Sequence, residues 1–62
     1  MYEIRSENRV NGTTAKLDSA HWLAEFTSRT ETGSHIYVNE VGNRDHLLGD
    51  YLNGNTLIKL TD

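Results

Sequence analysis

Apolar and polar residues alternate on either side of Asn53-Gly54, a dipeptide suited to a tight hairpin turn because both residues tolerate positive φ. A two-residue turn there sets Leu52 opposite Asn55, Tyr51 opposite Thr56, Gly49 opposite Ile58 and Leu47 opposite Leu60. Opposed residues share a face, so Leu47, Gly49, Tyr51, Thr56, Ile58 and Leu60 form a core face. Leu48, Asp50, Leu52, Asn55, Leu57 and Lys59 form a mixed outer one. A second pair, Asn11-Gly12, predicts a looser hairpin with Tyr2, Ile4, Val10, Ala15 and Leu17 on one face. A bulge or a longer loop through Ser6-Glu7-Asn8-Arg9 is its alternative. His35 to Val41 reads as a further strand, and Gly42-Asn43-Arg44-Asp45 as the turn into the next.

The period changes between the hairpins. LDSAHWLAEFTSRTETG reads as one helix, with Asp18 as N-cap and Gly33 as its stop. Leu17 before the cap and Trp22 at the fourth helical position have the spacing of a hydrophobic staple. At 100° per residue, Leu23 centres an apolar arc that includes Ala20, Ala24, Phe26, Thr27 and Thr30. His21, Glu25, Ser28 and Arg29 are expected to face away, and Trp22 falls on the seam, next to Phe26. The fold class is therefore α+β: one helix on a mainly antiparallel sheet of about five strands, in β-β-α-β-β-β order, as a single domain over residues 1–62.

A helix of about 13 residues is about 20 Å long and covers one sheet face. The other face is expected to hold Tyr37, or Ile36 and Val38, together with Leu48, Leu52 and Leu57. That is enough apolar surface to call for a cover.

Size sharpens this expectation. At 62 residues with no cysteine, the chain has a small core and no disulfide to staple it, so association with a second copy or a larger protein is the remaining common source of stability. The net charge of −3 comes from nine acids and six bases that form no run, which argues against the basic stripe of a nucleic-acid binder. No apolar stretch is long enough to span a membrane and the N-terminus lacks a signal-peptide core, so a cytoplasmic location is expected.

Candidate chemistry changes little. His21 and Glu25 could both face a metal, but two ligands are short of a site, and the spacing of His21, His35 and His46 requires no convergence. No serine lies in a nucleophile elbow, Asp45-His46 and Asp50 stand without a deep pocket, and the glycines form no phosphate loop. No catalytic residue, cofactor or metal is expected. Tryptophan and tyrosine are frequent interface anchors. The expected partner-binding residues are Trp22, His21, Glu25 and Arg29 on the helix, and Tyr37, Leu48, Leu52 and Leu57 on the sheet. The leading functional expectation is a non-enzymatic protein-interaction module that self-associates through its uncovered sheet face or an edge strand. A narrower form is a phage- or mobile-element-type inhibitor or accessory factor that binds a host protein. The alternative is a small nucleic-acid-binding regulator, with Arg5, Arg9, Lys16 and Arg44 on one side.

Overall fold

The chain runs β1 (Tyr2–Arg5), β2 (Val10–Thr14), α1 (Leu17–Thr30), β3 (Ile36–Glu40), β4 (Gly49–Leu52) and β5 (Asn55–Lys59). This is the α+β order read from the sequence, here in a computed structural model that describes residues 1–61. All strand pairings are antiparallel, in the spatial order β2-β1-β3-β4-β5. The order follows from the connections. Each short turn keeps its two strands adjacent, while α1 carries the chain across the sheet so that β3 pairs with β1.

The Asn53-Gly54 turn forms as expected, with φ of 52° and 82°. Leu52 pairs with Asn55 and Tyr51 with Thr56, but the register then shifts: Asp50 pairs with Ile58 and Gly49 with Lys59. Leu57 is the extra residue of this bulge. Beyond it the expected core face is lost, and Leu57, Ile58 and Leu60 are all exposed. The first hairpin takes the longer-loop alternative. The turn occupies residues 6–9, closed by the Ser6 N–H donating to the Arg9 carbonyl at 2.9 Å, and Gly12 lies inside β2 opposite Ile4. Asn11 is the extra residue there. Both edge strands therefore carry an irregularity, a common way of blunting an edge against pairing with another chain.

The helix begins two residues earlier than expected. Only Ala15 and Lys16 separate it from β2, Lys16 occupies the cap position without a side-chain cap, and Asp18 lies inside the first turn. There its negative charge still complements the positive helix end.

The larger correction is rotational. The buried helix residues are Ala20, His21, Ala24 and Ser28, with Leu17 half-buried beside them. Leu23 and Phe26, expected at the centre of the buried arc, are exposed, and His21, expected outside, is 3% exposed. The reason is volume. The sheet supplies the bulky side chains, Ile4, Ile36, Val38 and Tyr51, all buried. A helix that lays Ala20, Ala24 and Ser28 on them approaches closely enough to fill the layer at interior density. Gly49 extends the same fit, since a Cβ there would lie 3.0 Å from the His21 ring and from Tyr51.

Leu48, assigned to the outer sheet face, is half-buried against the core instead. The turn of the second hairpin is tied to the helix by the Gly54 N–H donating to Ser28 Oγ at 3.0 Å, and to Gly33 by its N–H donating to Asn53 Oδ1 at 2.8 Å.

Candidate functional site: the outer face of the helix

Rotating small residues inward turns large ones outward. Trp22 is 64% exposed and Phe26 52%, and one helical turn apart their rings stack with centroids 5.6 Å apart and planes 5° from parallel. Leu23 adds its flank, and Val10 of β2 lies close enough to share a shallow cleft with Phe26, Thr27 and Thr30. On the other flank Arg29 Nη2 donates to Glu25 Oε2 at 3.2 Å, one turn apart along the helix. The aliphatic stem of Arg29 lies over the hairpin turn, where only glycine leaves room: a Cβ on Gly54 would come 2.6 Å from Arg29 Cγ. Asp18 stands exposed on this flank, and no ion pair engages it among the described residues.

Between α1 and β5 runs a cleft of about 240 Å³, rimmed by Asp18, Trp22, Glu25 and Lys59 and floored by His21 and Tyr51. The floor is chemically satisfied. A carbonyl oxygen can only accept, so His21 Nε2 carries the hydrogen donated to the Leu60 carbonyl at 2.8 Å, and Nδ1 accepts the Tyr51 hydroxyl at 2.7 Å. Burial, with the Glu25 charge adding, pushes the Tyr51 phenol up to about 12. With both imidazole nitrogens committed to these hydrogen bonds, the pair ties the end of β5 to the helix.

The outer sheet face differs from expectation. It carries a polar network in place of an apolar surface. Asn39, fully buried, donates from Nδ2 to Glu3 Oε1 at 2.9 Å and to the Glu40 carbonyl at 2.8 Å, and its Oδ1 accepts Arg5 Nε at 2.8 Å. Arg44, from the loop after β3, donates from Nε to the same Glu3 oxygen at 2.9 Å. These hydrogen bonds, led by that of Asn39, outweigh the opposing effect of burial and hold the Glu3 carboxyl below its ordinary range. Arg5 also lies 5.0 Å from the Tyr37 ring, which stacks on His35, whose Nδ1 is 2.7 Å from Asp50 Oδ1. Every buried side-chain nitrogen and oxygen among the described residues has a partner.

The expected partner-binding residues therefore divide. Trp22, Glu25 and Arg29 share the outside of α1, with His21 buried beneath them. Tyr37 and Leu52 are half-buried on the far side of the sheet, Leu48 belongs with the core, and Leu57 is exposed on the edge strand. Leu23 and Phe26 join the outer helix surface without having been assigned to it. Trp22 and Phe26 at i, i+4 were visible in the sequence, and the row of Ala20, Ala24 and Ser28 was the signal that they face out. The three histidines lie apart, His21 under α1, His35 beside β4 and His46 in the exposed loop before it. Among the described residues no group of three or more acids and histidines is arranged to hold a metal, and no helix is long and apolar enough to cross a membrane. Comparison with protein-family models, with curated proteins and with solved structures finds no match for this chain.

Proposed function

We propose that this chain is a non-enzymatic protein-interaction module, acting in the cytoplasm, whose contact surface is the outer face of α1 centred on Trp22 and Phe26. The observation that carries the reading is the inverted helix, with small residues against the sheet and a stacked aromatic pair towards solvent. Exposed aromatics of this kind are costly to leave uncovered and are enriched among interface anchors. The polar network on the far sheet face and the irregular edge strands lend no comparable support to contact there. An inhibitor or accessory factor of the phage or mobile-element type, binding a host protein, is the narrower form of this reading. A nucleic-acid regulator gains little support, because Arg5, Arg9, Arg29 and Arg44 are all engaged by carboxylates.

The test is affinity purification of the tagged protein from a host extract beside a Trp22→Ala, Phe26→Ala double variant, with the molar mass of each measured in solution. A binding partner, either a second copy or a larger protein, is expected with the native sequence and lost with the variant. Equal recovery by both would overturn the assignment of the surface.

A further inference from the structure

We infer that the outer face of α1 takes a second copy of this chain, packed helix against helix in antiparallel two-fold symmetry. The inference rests on the reading of that face as a contact surface and names its occupant. A two-fold axis at the level of Ala24, passing between Trp22 and Phe26, sets Trp22 of each copy against Phe26 of the other. The stacked pair of one helix then meets the stacked pair of the second, and all four rings leave water. The crossing also sets opposite helix ends beside one another, which the helix dipoles favour.

Charge complementarity selects this partner. Asp18, Glu25 and Arg29 lie about two and three turns apart and so share one flank of the aromatic row. In an antiparallel pair, like flanks face each other. At this register Arg29 comes level with Ser19 of the second copy, a rise of about 1.5 Å from Asp18 of that copy. Arg29 would then sit between its own Glu25, at 3.2 Å, and Asp18 of the second copy, and the symmetry makes the arrangement twice. Asp18, the one carboxylate of this flank without an ion pair among the described residues, gains its partner in this way. A parallel pair would bring unlike flanks together and leave Arg29 out of reach of Asp18 of the second copy, so this contact selects the antiparallel arrangement.

Sedimentation equilibrium is the test, with folding of each variant checked by circular dichroism. One helix pair lies at the small end of specific interfaces, so the dimer is sought at high micromolar concentration. The native chain is expected to approach twice its 7.0 kDa mass. Asp18→Arg and Arg29→Asp should each weaken self-association about tenfold, since symmetry applies each charge reversal twice. Mixed together, the two variants should recover association as a heterodimer. The arginine introduced in one then meets the aspartate introduced in the other, and the native Arg29 of the first meets the native Asp18 of the second. The double variant, with the charges exchanged, should dimerise like the native chain. If a reversal unfolds the protein, Asp18→Asn and Arg29→Gln take its place, each expected to weaken the dimer about threefold.

A strict monomer at high micromolar concentration would overturn the inference, as would association indifferent to these charges or a mixture that fails to recover. If the native chain is monomeric but captures a larger protein in a Trp22- and Phe26-dependent way, the second copy is refuted and the contact surface stands. If neither self-association nor capture depends on Trp22 and Phe26, both fall.

Discussion

The two surfaces that this domain turns to solvent invert the usual rule. On the outside of the sheet sit a carboxylate, two guanidiniums and an amide, yet Glu3 is 5% exposed and Asn39 is sealed beneath the loop that brings Arg44. On the outside of the helix sit a tryptophan, a leucine and a phenylalanine, and all three are open. The charged surface has closed on itself, with every buried hydrogen-bonding side-chain atom matched among the described residues. The apolar one has nothing to close on. Polarity alone therefore does not tell which surface is left open; what distinguishes the two is whether their groups are satisfied within the chain.

The largest effect is expected where the closed surface is broken. Asn39→Ala removes the amide that bridges Arg5, Glu3 and the Glu40 carbonyl, and leaves a buried carboxylate short of a donor. A loss of about 3 kcal/mol is expected from chemical denaturation. A loss within about 0.5 kcal/mol would mean that the network is ornamental and the sheet face is open after all.

Acid probes the same network without a core substitution. Glu3 has a folded-state pKa below the ordinary 4.5, so its contribution to stability is present above about pH 4.5. As the pH falls below that, the unfolded chain takes up the proton first, and the contribution is lost as the pH drops through the folded value. Stability of the native chain should fall across this range, and Glu3→Gln should flatten the fall. Parallel curves would place the acid sensitivity elsewhere.

Between the two surfaces, Tyr51→Phe gives an intermediate effect. It deprives His21 Nδ1 of its donor inside the core, for a cost of about 1–2 kcal/mol. The native phenol should also ionise late. Its folded pKa of about 12 lies above the ordinary 10, so stability holds below pH 10 and declines as the unfolded chain ionises first. Absorbance of tyrosinate measured against pH would show Tyr51 ionising late, with Tyr37, raised by burial and the Asp50 charge, lagging as well. Three coincident titrations would contradict the burial of Tyr51.

How much of this was legible in the sequence follows from what each signal encodes. Asn53-Gly54 encodes its own turn because positive φ is a local demand, whereas the strand order was not legible, since the pairing of β3 with β1 is a long-range contact across the helix. The bulge at Leu57 was not legible, since an extra residue depends on the path of the whole edge strand, and it carried the expected core face of β5 away. The helix was placed with its start two residues late and its rotation misjudged. A wheel weighted by hydrophobicity favours Leu23 and Phe26 over Ala20 and Ser28, whereas the layer selects by volume once the sheet has supplied Tyr51 and Ile36. The same weighting left His21 outside, because its two hydrogen-bond partners lie 30 and 39 residues away. Glu3 and Asn39 drew no expectation for the same reason: they are closed over by Arg44, which lies 41 residues from Glu3 in the chain.

The smallest expected change in stability bears on the contrast between the two surfaces most directly. In dilute solution, where the chain is monomeric, Trp22→Ala and Phe26→Ala should each alter unfolding stability by no more than about 0.5 kcal/mol, as for exposed residues generally. Trp22 and Phe26 stack on each other, and each single variant already loses that contact, so the double variant should cost less than the sum of the two. Repeated at high micromolar concentration, the comparison should separate, because only the native chain gains stability from association as concentration rises. A loss above about 2 kcal/mol in dilute solution would reverse the assignment. The aromatic pair would then be a lid on the core, and the domain would have two closed surfaces. Stability unchanged in dilute solution but lost with concentration is what an unfinished surface requires, since its contacts exist only when a second molecule supplies them.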